Sequence, residues 1–531
     1  MRRLSNLLLA VIVGACVVYV VAISPFRPWP DLVSKIPDDA SYYFQIGRNY
    51  ADGKGLTFDG RNPTNGFQPL WQMLIVIMQQ SLPFRQQPEQ FVRAVLVLQG
   101  IILTAALVVF NRTLRLLGNP LLRGLGILLF LTAVYLIMRD GMESALLVAL
   151  AVMVVYFQAR NGQLDRWSRR RCLGFGILLG GVLLARLDSI FWIGGLFAVL
   201  VLMTGNGEER LKGIRFRKAS WIGFACAAVV IPYLMANYLA FGHLMPISGA
   251  LKTSFPKMGY YVSEFTLLPD TRLLLALSLI LSVACLLWEL GPWPRGQDGP
   301  LRGPVCAIAL GVLLHVGYAV LFMKWAVFSW HFVLERFAVC LLLPYLCAKI
   351  ALFISPVVQR WAIGAMVTVL ACAVPLVVLQ RDWHSDLSRS WKMTSYQASQ
   401  WVKTNLPANA VIAMKDAGNM GFYSDRPVVN LDGLVNSFAY QDALKDGRFR
   451  EFLRNSGVNY FVQHAIWDDP AANNGDYVAY TVRSYSHLYD RPGGDLQLKR
   501  SDEVYRSPTY YDGPHKTELV IWKIPPEDLA D

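Results

Sequence analysis

Residues Ser5–Ser24, SNLLLAVIVGACVVYVVAIS, run for 20 positions without a charge. A helix rises about 1.5 Å per residue and a bilayer's hydrocarbon core is about 30 Å thick, so this stretch reads as a membrane-spanning helix. Arg2 and Arg3 precede it, as in a signal peptide. The run is longer than a signal's apolar region and no small-x-small site closes it, so it is expected to remain as a first span. Similar runs recur along the chain. The expected spans are 5–24, 93–111, 121–138, 143–159, 172–185, 189–204, 219–239, 272–290, 304–322, 333–353 and 361–380. Arg186 and Asp188 split the 172–204 region into two helices, because a charge at the bilayer centre costs roughly 3 kcal/mol.

The composition agrees. Of 531 residues, 54% are hydrophobic and 16% charged, against about 25% charged in soluble domains. From Arg381 onward the sequence turns polar, aromatic and rich in Gly and Pro, which reads as one soluble domain over 381–531. The fold class expected is a polytopic α-helical membrane protein of about eleven transmembrane helices with a C-terminal α/β soluble domain. Within that domain, 395–405 and 440–455 read as helices, and 410–414, 428–431 and 458–463 as short strands. His464, Asp468 and Asp469 form a polar cluster of nonspecific spacing that reads as a solvated loop.

The net charge of +13 is not the footprint of a nucleic-acid partner. With the N-terminus inside, the inner loops carry 19 lysines and arginines and the short outer loops 7, the asymmetry that membrane insertion requires. An odd number of spans then places the C-terminal domain outside. All eight cysteines lie in apolar stretches, which leaves no disulfide framework and no zinc spacing. The inner loops hold no GxxxxGK[ST] phosphate cradle.

The informative polar residues fall on the outer face. The first outer loop, about 25–92, opens with Ile36-Pro37-Asp38-Asp39-Ala40-Ser41-Tyr42-Tyr43-Phe44, whose apolar positions recur at helical spacing until Gly53 and Gly55 stop them. That pattern predicts an amphipathic helix on the membrane surface. One aspartate would serve as an N-cap; two in succession are more than a cap needs, so the pair is a candidate functional site. A turn-rich segment, Asn62-Pro63-Thr64-Asn65-Gly66-Phe67-Gln68-Pro69-Leu70-Trp71, leads into a short apolar helix.

The stretch from Pro37 to Trp71 resembles the first outer loop of GT-C-fold bacterial membrane glycosyltransferases. Arg139-Asp140-Gly141-Met142-Glu143-Ser144-Ala145-Leu146 is similar to their SGMETAL segment, and Ala185-Arg186-Leu187-Asp188 to their ARPD/TRPE turn. Phe241-Gly242-His243-Leu244-Met245-Pro246, with Lys252 after it, resembles their FGxxxPNTxxxK loop. Asp416–Tyr423 and Asn430–Leu434 are similar to parts of their outer domain. The departures are Pro246-Ile247-Ser248 where the family has PNT, and Trp330-His331 where it has Trp-Tyr.

The resemblance implies transfer of a sugar from a polyprenyl-phosphate-linked donor in the lipid bilayer to an acceptor outside the cytoplasm: a glycan, glycolipid or protein. It implies Asp38 as general base, with Asp39 orienting the acceptor, stabilising charge on the sugar ring or helping to hold a divalent cation such as Mg or Mn. The departing phosphate needs cationic donors. Lys252 is preferred, and Arg186, His331 and Arg336 are the other candidates. Arg186 reads equally as an ion pair with Asp188, and His331 and Arg336 as interfacial anchors beside Trp325 and Trp330. Glu143, read first as an inter-helix hydrogen-bonding residue, joins Asp188, Tyr42 and Asn65 as further candidates for the pocket. The competing reading is a transporter or flippase of lipid-linked saccharides. Against it stand the absence of an evident internal repeat and the gathering of polar residues at one face. A third reading is an envelope assembly protein without enzymatic activity.

Overall fold

The computed structural model describes residues 2–202, 209–291, 299–382, 390–466, 477–481, 495–512 and 515–529. The opening stretch forms α1 (Arg2–Val18), continued by a π turn over Tyr19–Ile23. The first outer loop folds into α2 (Trp29–Val33), α3 (Asp38–Ala51) and α4 (Pro69–Ser81). Then come α5 (Pro88–Leu114), α6 (Pro120–Phe130) with a π turn over Leu131–Tyr135, α7 (Ser144–Asn161), α8 (Arg169–Ala185) and α9 (Ile190–Leu202). They are followed by α10 (Glu209–Phe241), the short α11 (Ile247–Lys252), α12 (Pro269–Leu290), α13 (Arg302–Phe322), α14 (Val333–Ile350) and α15 (Pro356–Asp382).

Each of the expected spans meets one of these helices. Among the described residues, eight helices are long and apolar enough to cross a membrane, and α6 and α9 are shorter apolar helices. The protein is a multi-pass membrane protein. The chain does break at Arg186, which is extended (φ −162°, ψ 116°) between α8 and α9. Close packing fixes the bundle: a Cβ at Gly176 would lie 2.3 Å from the carbonyl oxygen of Ile222, which brings α8 and α10 into backbone contact.

One expectation is corrected. α3 does not lie on the membrane surface. Ten of its 14 residues are buried, including polar Asp38, Ser41, Arg48 and Asn49. Its apolar positions cover more than one stripe, so it is clamped on several sides: α4 packs against it, and a C-terminal helix covers its start.

The C-terminal part contains α16 (Trp391–Asn405), β1 (Ile412–Met414), α17 (Gly418–Tyr423), β2 (Val428–Asn430), α18 (Phe438–Lys445), α19 (Phe449–Asn455) and β3 (Tyr460–Ile466). The strands β4 (Tyr477–Thr481), β5 (Asp495–Lys499), β6 (Glu503–Arg506), β7 (Tyr510–Asp512) and β8 (His515–Lys523) complete it. The main sheet runs β2-β1-β3-β8-β6, with β7 also paired to β8. β1 is parallel to β2 and β3, and β8 antiparallel to β3. This is the α/β arrangement expected; Asp468 and Asp469 lie outside the described residues. The sheet is not an independent appendage. One apolar cluster joins Trp29, Phe44, Trp71 and Phe91 of the first outer loop and α5 to Met420, Phe422, Leu519 and Ile521 of the C-terminal part.

Candidate active-site cleft

The ends of several spans, the loop over 25–92 and the segment after β2 enclose a cleft of about 550 Å³, counting its open mouth. Asp39, Tyr42 and Tyr43 from α3 form one wall, with Gly66, Phe67 and Gln68 beside them. Glu143, Arg186, Trp330 and His331 come from the ends of the bundle, Ser248 and Lys252 from α11, and Leu434 from the C-terminal part. At Gly66 a Cβ would fall 1.8 Å from the carbonyl oxygen of Leu434, so only glycine permits this closure.

The two adjacent aspartates have different surroundings. Asp38 is buried, and its two oxygens accept the main-chain N–H groups of Gly418 and Asn419, both at 2.7 Å. It does not line the cleft. A carboxylate held by two amides at the start of α17 is a joint between α3 and the C-terminal part. Asp39, one residue on and about 100° round the helix, opens onto the cleft. Among the described residues no hydrogen bond or ion pair holds its carboxylate. Burial raises its pKa above the ordinary 3.8, Lys252 pulls it back, and Asp432 pushes it up. Asp38 is thus engaged in a structural contact, while the Asp39 carboxylate is the one that opens onto the cleft.

The cationic candidates divide in the same way. Lys252 stands at the end of α11, whose start is fixed by Asn65: its Oδ1 accepts the N–H of Ile247 at 3.0 Å. Asn65 thus acts through the helix that carries Lys252 and is not a lining residue. Arg186 lines the cleft while bonding Asp188 at 2.9 and 3.0 Å, Glu143 at 3.4 Å and the Trp330 carbonyl at 2.6 Å. Glu143 also accepts from the Tyr43 hydroxyl at 2.9 Å. His331 faces the cleft, and its Nδ1 accepts the Phe328 N–H at 3.0 Å. Arg336 lies elsewhere. Its guanidinium is bound by Asp270 at 3.1 Å and by Thr271, and Arg336 does not line the cleft. Asp188 likewise does not line this cleft but a cavity beside it.

Tyr42 donates to Asp432 at 2.7 Å, and burial beside that carboxylate raises the phenol's pKa well above 10. The hydroxyl stays protonated and locks α3 to the C-terminal part. Among the described residues no group of three His, Cys, Asp or Glu that could hold a metal converges at the aspartate pair.

Asp432, Tyr43, Gln68 and Leu434 escaped sequence reasoning as site residues, whereas Ser248, one of the departures from the family's PNT, does line the cleft as that resemblance implied. His315 and Glu335, which meet at 2.7 Å between α13 and α14 next to Arg186, escaped it too. Ionisable residues inside apolar helices were the available signal for that pair.

One family matches the chain, described as a domain of unknown function (DUF8728), over residues 385–507. No curated protein matches by sequence. The solved structure of ArnT from Cupriavidus metallidurans, bound to undecaprenyl phosphate, aligns with a TM-score of 0.58 at 11% identity, covering 96% of this chain and 97% of that one. The chain has the GT-C fold. Two structures of the Archaeoglobus fulgidus oligosaccharyltransferase align less closely. One is tethered to an acceptor peptide: TM-score 0.49, 12% identity, covering 86% of this chain and 68% of that one. The other, named AglB, carries an inhibitory peptide and a dolichol-phosphate: TM-score 0.45, 11% identity, 87% and 70%. Both are too distant to bear on the site.

Proposed function

We propose that the protein is a membrane glycosyltransferase that moves a sugar from a polyprenyl-phosphate donor to an acceptor on the outer face of a bacterial inner membrane. In this reading the N-terminus is cytoplasmic, residues 1–380 form the catalytic module, and 381–531 form a periplasmic domain. The observation that carries it is a single cleft at the outer ends of the spans, in which the unrestrained Asp39 carboxylate faces Lys252 and Arg186. The undecaprenyl phosphate in the ArnT structure fits a GT-C bundle that receives such a lipid.

The chemistry follows from those groups. An acceptor hydroxyl attacks the anomeric carbon and gives its proton to Asp39. The bond from that carbon to the phosphate oxygen breaks, and its electron pair leaves with polyprenyl phosphate. A base with a raised pKa takes the proton more readily, and general-base catalysis is typically worth about 10²–10⁴-fold. Lys252 is the point charge that stabilises the departing phosphate. Arg186, already bound by two carboxylates, positions that wall and adds one guanidinium edge.

The test is transfer of labelled sugar from polyprenyl-phosphate donors by purified protein in lipid. Asp39→Asn should lose about 10²–10⁴-fold. Undiminished transfer in that variant removes Asp39 as base. Movement of intact donor across the bilayer without transfer would make the protein a transporter instead.

A further inference from the structure

Next to the cleft, and sharing Arg186 and His331 with it, lies a second cavity of about 410 Å³, counting its mouth. Asp188, Trp192, Gly311, His315 and Glu335 line it, within apolar walls that include Leu147, Ile308 and Phe337. Three polar atoms here have no hydrogen-bond partner: Trp192 Nε1, His315 Nε2 and Glu335 Oε2. Their residues are only 5%, 6% and 1% exposed. An unmet buried polar group costs about 1–3 kcal/mol, so three around one cavity point to a polar occupant.

The occupant's chemistry can be read from the donors and acceptors. A carboxylate only accepts, so the 2.7 Å contact from His315 Nδ1 to Glu335 Oε1 puts the imidazole proton on Nδ1. Nε2 is left without a hydrogen-bond partner, and Asp188 Oδ2, at 3.7 Å, is beyond hydrogen-bond reach. Glu335 Oε2 is an acceptor and the Trp192 N–H a donor. A phosphate offers acceptors alone and would face Glu335. An ammonium offers donors alone and leaves the indole N–H unmet. A hydrocarbon satisfies none. A hydroxyl donates and accepts, and an indole face is apt for packing against sugar C–H groups. The wall is also held firmly. A Cβ at Gly311 would lie 2.7 Å from Trp192 Cα, so α13 meets the main chain of α9 beside the indole.

We propose that this cavity is a hydroxyl-recognition subsite for an uncharged part of the donor's sugar, with Glu335, His315 and Trp192 as its specificity-determining residues. The inference rests on the lipid-linked sugar reading, and binding can test it apart from transfer.

The probes are undecaprenyl phosphate and undecaprenyl phosphate bearing glucose, mannose or N-acetylglucosamine, with binding to the full-length protein in nanodiscs as readout. At least one sugar-bearing lipid should bind about tenfold more tightly than undecaprenyl phosphate, the size of a hydrogen bond or two. Trp192→Phe, which keeps an aromatic ring and removes the N–H, and Glu335→Gln should each abolish most of that advantage. Neither should alter the affinity for undecaprenyl phosphate. If the advantage survives in both variants, or if no sugar adds affinity, the subsite is overturned. Water filling the cavity would give the former result. Sugar-dependent binding that the variants remove, without transfer, would keep the subsite and overturn the transferase reading.

Discussion

The carboxylate of Asp38 accepts the main-chain N–H of Gly418 at 2.7 Å, bridging 380 positions of sequence. The contact is tight: a Cβ at Gly418 would lie 2.7 Å from that same oxygen and 2.2 Å from the Asp38 carbonyl oxygen. Asp38→Ala leaves two amides at the start of α17 unmet, a penalty of about 1–3 kcal/mol for each buried group. The variant should melt several degrees lower. Its transfer rate should fall less than that of Asp39→Asn once both are measured well below their melting temperatures. The reverse order of rates would return the base to Asp38.

In the proposed reading Asp39 must be ionised to act as the base. Its pKa lies above 3.8, so the acidic limb of kcat/KM should lie above that pH as well. Lys252 lowers this pKa and Asp432 raises it. Removing the cation in Lys252→Met should therefore move the limb to higher pH, and Asp432→Asn should move it to lower pH. A pH–rate profile in which both limbs stay put would mean that another group supplies the base.

Lys252→Met should also lower kcat/KM by about 10²–10³-fold, the range found when one donor to a developing negative charge is removed. Arg336→Gln provides the contrast. With its guanidinium tied to Asp270 and Thr271, this variant should lose thermal stability while the donor's KM changes less than about twofold. Steady-state kinetics beside a melting curve separates the two. A donor KM that rises strongly in Arg336→Gln would restore it to the phosphate site.

Gly66→Ala should force the first outer loop away from Leu434, because the added carbon has a carbonyl oxygen 1.8 Å away and cannot rotate past it. The expected result is faster proteolysis of the C-terminal part and loss of transfer together. An unchanged digestion pattern would show that the loop relaxes without opening the cleft.

The spans were legible because a bilayer leaves few options: an uncharged run such as Ser5–Ser24 must satisfy its own backbone as a helix. Charge placed the break at Arg186 for the same reason. The site was legible only in part. Asp39, Tyr42, Glu143, Arg186, Lys252 and His331 do line one cleft. Sequence could not choose between Asp38 and Asp39, since one helical step separates a residue facing the cleft from one facing α17. The pairing of Tyr42 with Asp432, 390 positions away, leaves no local trace in either segment.

The apolar cluster that holds Phe44 and Trp71 also contains Leu519 and Ile521 of β8. A ribosome working from the N-terminus delivers the first outer loop long before the strand that covers it. At ~5–20 residues per second the wait is roughly 20–100 s. Throughout that interval the loop bearing Asp39 lacks the cover that β8 supplies. A chain cut short before β8 would still carry the loop that holds Asp39, with Phe44 and Trp71 lacking the cover of Leu519 and Ile521.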